Sequence, residues 1–216
     1  MKTAISQSKF WVYSTAFIMS FNGGYINAIC LASILKNPVG YVTGDLTLAG
    51  ESLNHGQFLL FLHLIFLVIC FLIGSIISGL VIQGQNFKID RRYTISLVLQ
   101  LVMVVLALLL LLQQDEQAGY LLALTMGMQN AMTTHYGSAL IRTTHMTGTT
   151  TDLGIIISHW IKGYGILPWK IYLYLNLIVG FAFGAFAGAF AYGFFNAYSL
   201  LLCLVFYFFM MGFRKI

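Results

Sequence analysis

Six long apolar segments divide this chain of 216 residues. Each reaches the length of about 20 residues that a helix needs to cross a hydrocarbon core of roughly 30 Å. The segments are residues 10–35, 58–82, 93–112, 120–141, 171–192 and 197–213. Because the connections are short, the pattern predicts an all-α integral membrane protein with six transmembrane helices and no soluble domain.

Two connections do not fit a plain up-and-down bundle. Each carries a moderately apolar stretch of about a dozen residues, which is too short to cross a bilayer. These stretches are YVTGDLTLAGESL, from Tyr41, and HMTGTTTDLGIIISHW, from His145. We expect each to form a re-entrant half-helix, over residues 41–54 and 145–161.

Threonine and glycine mark the start of each half-helix. Pro38 and Gly40 oppose continuation of the first helix, so the chain ahead of the first TG pair is expected to be extended. Thr43 is then expected to cap the first half-helix and Thr147 the second. The two N-termini would face each other near the bilayer centre and offer free N–H groups to a substrate.

The two halves of the chain carry the same motifs in the same order. A shift of 104 residues aligns the two TGxxT segments, and GYINA aligns with GMQNA in the helices ahead of them. GSIISG, from Gly74, answers GAFAG, from Gly184, and both are small-residue surfaces that let helices approach closely. This order predicts a duplication, with a first repeat over residues 1–112 and a second over 113–216. Since each repeat holds three spans, an odd number, the repeats are predicted to be inverted in the membrane.

Composition and charge narrow the class of protein. Hydrophobic residues make up 59% of the chain and charged residues only 8%, against about 25% charged in a soluble domain. The net charge of +5 does not indicate a nucleic-acid partner, because the basic residues lie at segment ends, as at Lys2, Lys88 and Arg214. Their distribution puts both termini in the cytoplasm. We expect a multi-pass protein of the bacterial inner (plasma) membrane, surrounded by lipid.

Polar side chains on or beside the half-helices are candidate substrate contacts. Non-helical backbone at membrane depth must be covered by protein or line a wet cavity, so these side chains are not expected to face lipid. The candidates are Asn27, Thr43, Gly44, Asp45, Thr47, Gln129, Asn130, His135, Arg142, His145, Thr147, Gly148, Thr149, Thr151 and Asp152. Asn27 and Asn130 are explained equally well as hydrogen bonds between helices. Intramembrane acids are costly and usually functional, so Asp45 and Asp152 are expected to couple solute movement to protons or a cation.

The sequence gives little sign of catalysis or of a cofactor. Cys30, Cys70 and Cys203 lie far apart inside apolar segments, so neither a disulfide framework nor a metal site is indicated. No HExxH, GxSxG or Cys/His cluster is present. We therefore expect no cofactor, no bound metal and no enzymatic activity.

The motifs themselves resemble those of a known family. GMQNAMTTHYGSALIRTTHMTGTTTDLG, residues 127–154, is similar to the signature of the YoaK family, small bacterial membrane proteins catalogued as a domain of unknown function. GYINAICLASILKNPVGYVTGDLTLAG resembles that family's other motif, so the resemblance covers nearly the whole chain. This sequence departs from the pattern at Asn27, where an Asp is common, at Asp45, where an Asn is common, and at His135, which replaces a basic residue. The resemblance implies membrane localisation and the architecture above, and it implies no established activity.

Several functions are compatible with this sequence. Inverted repeats and broken segments favour a secondary transporter or facilitator for a small solute or ion, and a channel is the near alternative. An intramembrane enzyme, with His135, His145 and Asp152 converging, and a non-catalytic assembly protein are the others, and a homodimer is compatible with all of them. Helix N-termini, Arg142 and His145 favour an anionic substrate, whereas the two Asp residues favour a cation or proton.

Overall fold

A computed structural model describes residues 9–82, 91–136 and 142–212, with side chains from residue 12 onwards and without those at 135 and 136. Throughout these ranges the regular structure is helical. The helices are α1 (Lys9–Ala32), α2 (Val42–Asn54), α3 (Phe58–Val81), α4 (Arg91–Leu112), α5 (Ala118–Tyr136), α6 (Met146–Ile161), α7 (Pro168–Phe195) and α8 (Leu201–Gly212), with a 3₁₀ helix, Asn196–Leu200, between the last two.

Four stretches of the described chain are long and apolar enough to cross a membrane. They are Val12–Ala32, Phe58–Val81, Arg91–Leu112 and Pro168–Gly212. These stretches indicate a membrane protein, as the composition predicts. The helix α5 covers most of the predicted fourth segment but is not among the four, because polar residues such as Gln129 and Asn130 interrupt its apolar surface.

The last apolar stretch is divided where the sequence predicts a turn. Asn196 ends α7 with φ 49° and ψ −134°, and asparagine is one of the few residues that adopt a positive φ readily. The chain then forms the 3₁₀ helix and continues as α8. The predicted fifth and sixth segments are therefore separate helices.

Glycines set the closest helix contacts, between α1 and α7. A Cβ atom at Gly24 would overlap the carbonyl of Phe181, and one at Gly184 would overlap the carbonyl of Phe21. Such overlaps mean that the two backbones touch directly, which only glycine permits. The helix that opens the chain thus packs most extensively on α7, far along the sequence.

The contact between α3 and α5 is built in the same way. A Cβ atom at Gly74 would overlap the carbonyl of Leu124, and one at Gly127 would overlap the carbonyl of Phe71. The predicted duplication pairs Gly24 with Gly127 and Gly74 with Gly184. The two largest helix interfaces of the fold therefore place paired glycines in matching positions, with each interface joining the two halves of the chain.

The two short helices begin two residues earlier than the predicted caps imply. They start at Val42 and Met146, and the N-cap residues are Tyr41 and His145, neither of which makes a side-chain capping hydrogen bond. The prediction that Thr43 and Thr147 act as caps is therefore wrong. The reason is that the carbonyls of Tyr41 and His145 already accept helical hydrogen bonds, from the N–H groups of residues 45 and 149 at 3.0 and 3.1 Å.

Candidate functional site

A cavity of about 670 Å³ lies where the N-termini of α2 and α6 meet α3 and α5. Five of the predicted site residues line it, namely Thr43, Asn130, Arg142, His145 and Thr147. The α3 side of the lining runs from Val68 to Ser75. At about 1.5 Å per residue, Val68 is about 15 Å from the Phe58 end of α3, so the cavity extends from the middle of that helix towards Val81.

Two asparagines hold the loops that lead to the short helices. Asn27 Oδ1 accepts the backbone N–H of Gly40 at 2.8 Å. Asn130 Oδ1 accepts the backbone N–H of Thr144 at 3.2 Å, and its Nδ2 donates to the Thr144 hydroxyl at 2.7 Å. Gly40 and Thr144 are 104 positions apart, as are the paired TG motifs. The repeated asparagines therefore make equivalent structural contacts, and Asn130 also lines the cavity.

The loops ahead of α2 and α6 touch each other beside the central part of α1. A Cβ atom at Gly40 would lie 3.4 Å from Cγ2 of Thr144. A Cβ atom at Gly23 would lie 2.9 Å from the same methyl carbon. Because Gly23 lies well inside the 24-residue α1, both short helices begin far from the ends of that helix.

Gln129 belongs to a buried polar network rather than to the cavity lining. Its Nε2 donates to the carbonyl of Met19 at 2.9 Å and to the hydroxyl of Thr143 at 3.1 Å. Its Oε1 accepts from Asn22 Nδ2 at 2.7 Å. With these partners the side-chain amide of Gln129 is engaged at both ends, so it joins α1, α5 and the loop before α6.

An aromatic ring covers the glycine in the first turn of each short helix. A Cβ atom at Gly44 would overlap the ring of Tyr41, and a Cβ atom at Gly148 would overlap the imidazole of His145. A side chain at either glycine would therefore have to displace a ring three residues earlier in the chain.

Four of the candidate threonines lie on the outward faces of α2 and α6. Thr43, Thr47, Thr147 and Thr151 are exposed in the chain. The hydroxyls of Thr47 and Thr151 donate to the carbonyls of the threonines one turn earlier, at 2.8 and 2.9 Å. Thr149 is buried, and its hydroxyl donates to the carbonyl of His145 at 3.0 Å. Of these residues, Thr43 and Thr147 are the ones that reach the cavity.

The two candidate acids differ sharply in their surroundings. Asp45 is 1% exposed, and its Oδ1 accepts a hydrogen bond from Asn37 Nδ2 at 2.7 Å. Burial raises the pKa of the Asp45 carboxyl to about 6, although the hydrogen bond from Asn37 acts in the opposite direction. Asp152 is exposed on α6 and interacts electrostatically with Tyr174 of α7. Of the two acids, Asp45 is therefore the buried one.

A second cavity, of about 480 Å³, lies at the Phe58 end of α3. Its lining includes Asn37, which donates the hydrogen bond to Asp45, and four residues with ionisable side chains. These residues are Lys36, Glu51, His63 and Glu116. Asn37 was not among the predicted site residues. Its position next to Pro38, in the loop before α2 and eight residues before Asp45, is the sequence feature that could have indicated it.

Arg142 lines the first cavity and forms no ion pair within the described part of the chain. The side chain of His135 lies outside the described residues, so its predicted role is not placed. Among the residues that are described, no group of three or more His, Cys, Asp or Glu side chains is arranged to hold a metal ion.

Comparison with known sequences assigns the chain to a family. The pattern of the family described as "Protein of unknown function (DUF1275)" matches residues 15–213. The match spans both TG motifs and all the helices that line the first cavity. No curated protein and no solved structure matches the chain.

Proposed function

The chain belongs to the DUF1275 family of proteins of unknown function, and from its geometry we propose that it is a membrane transporter for a small solute or ion. The transporter is a secondary transporter or a facilitator, and its binding site is the cavity between the N-termini of α2 and α6. The resemblance of its two TG motifs to those of the YoaK family supports a YoaK-like protein. It works in a bacterial inner membrane with both termini in the cytoplasm.

One observation carries this proposal. Two short helices begin side by side, with Gly40 next to Thr144, and their first turns line one cavity of about 670 Å³. Cavities of roughly 300–1,000 Å³ are typical of small-molecule sites. Broken helices that meet inside a membrane are the way in which many secondary transporters bind their substrates.

The proposed architecture is two inverted repeats of three spans, each with a re-entrant half-helix. Its support is the matching of contacts between the halves. The glycine contacts of α1 with α7 repeat in those of α5 with α3, and the Asn27 contact with Gly40 repeats in that of Asn130 with Thr144. An internal symmetry of this kind gives a transporter two related conformations, because each half can adopt the arrangement of the other.

The second cavity favours a transporter over an open channel. It lies at the opposite end of α3 from the first, and α2 borders both. Between them the buried face of α2, with Asp45 and Ala49, packs on α3, where Leu64 and Leu67 are buried. A closed layer between two cavities is what alternating access requires. Movement of α2 away from α3 would open the layer and expose Asp45.

The proposal is tested by attaching a bulky group to a residue that lines the first cavity. In a cysteine-free background, Ser75→Cys adds a thiol to the cavity lining, and Ile76→Cys adds one on the exposed face of the same helix. Both proteins are reconstituted in liposomes and exposed to a panel of anionic, cationic and neutral solutes, with swelling recorded by light scattering. A bulky maleimide should abolish solute entry in Ser75→Cys and leave Ile76→Cys active.

The remaining outcomes separate the alternatives. Entry that saturates with solute concentration supports a transporter, whereas entry that stays linear with concentration would indicate a channel. Equal inhibition of both variants would contradict the cavity as the path. No entry of any solute, by correctly folded protein, would favour an assembly or enzymatic role.

A further inference from the structure

We propose that the cavity between α2, α3, α5 and α6 binds a small organic anion, with its charged group at Arg142 and its apolar body against α3. The inference rests on the proposed function, because it names the substrate class of the same site. It decides between the anionic and cationic substrates that the sequence leaves open.

The formal charge in the cavity lining is positive. Arg142 is in the lining, and no Asp or Glu of the described chain is. Arg142 has no ion-pair partner among the described residues. An unpaired guanidinium at a cavity wall attracts carboxylate and similar groups, because its planar donors match two oxygen atoms at once.

The two acids that would favour a cation lie elsewhere. Asp45 faces Asn37, whose side chain lines the second cavity, and Asp152 lies beside Tyr174 of α7. Neither carboxylate is part of the first cavity. A cation in that cavity would meet the positive charge of Arg142 without a compensating negative group, and the repulsion costs free energy.

The first turns of α2 and α6 add partial positive charge to the same wall. Residues Tyr41 to Thr43 and His145 to Thr147 line the cavity, and neither helix has a side-chain cap. The leading N–H groups of a helix have no partner within that helix, and the peptide dipoles favour an anion there. Beside the Arg142 side chain, these groups strengthen the preference for negative charge.

The opposite wall selects an organic anion rather than an inorganic ion. Val68, Phe71 and Leu72 of α3 form it. The one hydroxyl on this side, of Ser75, already donates to the carbonyls of Phe71 and Gly127, at 3.0 and 3.1 Å. A small hydrated ion gains nothing from such a wall, whereas an apolar body gains about 25 cal/mol for each Å² buried.

A series of three ligands of one shape tests the charge preference. All three ligands contain the same phenyl ring. Benzoate carries one negative charge, benzamide is neutral, and benzylamine carries one positive charge. Binding to the full chain in detergent is followed by isothermal titration, with protein-free micelles as the blank. Benzoate should bind at least tenfold more tightly than benzamide, and benzylamine should show no binding. Inorganic phosphate should compete weakly, because it lacks the apolar body.

A matched pair of charge variants tests the position of the anion. Arg142→Gln removes the positive charge in the cavity lining, and Lys162→Gln removes one at the exposed C-cap of α6. The first should weaken benzoate binding at least tenfold, and the second should leave it unchanged. Circular dichroism and the melting temperature confirm that both variants are folded.

The results that overturn the proposal are distinct from those that overturn transport. Benzylamine binding as tightly as benzoate, equal effects of Arg142→Gln and Lys162→Gln, or no benzoate binding at about 10 mM, roughly ten times a Kd of 1 mM, would each refute an organic-anion site. Phosphate binding more tightly than benzoate would refute the organic body. Cation entry into liposomes without benzoate binding would preserve the transporter and refute the anion. Benzoate binding without solute entry would preserve the anion site and refute the transporter.

Discussion

Both the nitrogen and the oxygen of the Asn130 side-chain amide form hydrogen bonds with Thr144. Its Nδ2 donates to the Thr144 hydroxyl at 2.7 Å, and its Oδ1 accepts the Thr144 backbone N–H at 3.2 Å. The paired residue, Asn27, acts as an acceptor, because its Oδ1 binds the backbone N–H of Gly40 at 2.8 Å. The loop before α6 is thus held by a donor and an acceptor, whereas the loop before α2 is held by an acceptor.

This difference predicts unequal tolerance of aspartate at the paired positions. Asn27→Asp keeps the acceptor for Gly40, so it should lower the melting temperature less than Asn130→Asp does. Asn130→Asp loses the donor and brings a carboxylate towards the carbonyl of Met126, which accepts from Nδ2 at 3.0 Å. We expect it to cost about 1–3 kcal/mol. Thermal unfolding of both variants in detergent measures the difference, and equal losses would show that the two loops are held alike.

A methyl group should be tolerated at an open glycine and not at an interface glycine. Gly74→Ala puts a Cβ into the carbonyl of Leu124, whereas a Cβ at Gly50 would meet nothing within 4 Å. We expect Gly74→Ala to destabilise the protein by about 1–3 kcal/mol through overpacking. Gly50→Ala should be neutral or slightly stabilising, since alanine favours the helix. The melting temperatures of the two variants decide the matter. An unchanged value for Gly74→Ala would mean that α3 and α5 are farther apart.

The rings over the first turns of α2 and α6 predict a rescue. Gly44→Ala should lower stability because the new methyl displaces the ring of Tyr41, and Tyr41→Ala in the same protein should recover much of the loss. Larger side chains, in Gly44→Leu and Gly148→Leu, should leave membrane insertion intact and abolish solute entry. Thermal unfolding follows the first pair and liposome swelling the second. Full activity in both leucine variants would place these turns away from the path.

Burial of Asp45 predicts a pH-dependent stability. Its pKa in the folded protein, about 6, lies above the ordinary value of 3.8, so the folded state holds the proton more tightly than the unfolded state. The resulting stabilisation is complete below pH 4 and is lost as pH rises to about 6. Asp45→Asn should remove this change in melting temperature. Asp152→Asn, at an exposed site, serves as the control, and an Asp45→Asn protein with the wild-type pH profile would refute the assignment.

Coupling to protons or a cation is a separate matter from stability. If Asp45 and Asp152 couple solute movement, the double variant Asp45→Asn, Asp152→Asn should lose accumulation against a gradient while keeping passive entry. The structure favours Asp45 as the more important member, because it is buried and Asp152 is exposed. Uptake with and without an imposed pH gradient measures the effect. Continued accumulation by the double variant would indicate a facilitator.

The predicted topology can be measured by cysteine labelling. In a cysteine-free background, Gln114→Cys and Asn54→Cys should react with an impermeant maleimide added outside the cell, because both positions are exposed at helix ends. Lys88→Cys and Lys162→Cys should react after the membrane is opened. This pattern follows from the distribution of Lys and Arg. Labelling of the two lysine positions from outside would exclude the inverted arrangement.

The helices themselves follow from the sequence because their causes are local. Runs of apolar residues predict the positions of α1, α3, α4, α5, α7 and α8, and four stretches of the described chain are long and apolar enough to cross a membrane. Pro38 and Gly40 interrupt the first run, and the repeated TG motif marks both short helices. Asn196 ends α7 through its own backbone conformation. Each of these signals involves residues close together in the chain, so no knowledge of packing is needed to use it.

The contacts and the burial of each polar side chain, by contrast, depend on residues far away in the sequence. Gln129 is an interhelical link because Met19 and Asn22 lie beside it, more than a hundred positions away. Asp45 is buried because α2 packs on α3 through the face that carries it, and Thr149, at the paired position of α6, is buried as well. Asp152 pairs instead with Leu48 of α2, and both of these residues are exposed. The two aspartates stand at different distances from their TG pairs, directly after Gly44 and four residues after Gly148, but the face of each short helix that is buried depends on the helix against which it packs. The positions of the helices and the recurrence of the TG motif can therefore be read from the sequence, since length, composition and turn residues are local properties. Which side chains share a cavity follows from the packing, since glycine contacts between α1 and α7, and between α3 and α5, fix the helix rotations that turn each residue inwards or outwards.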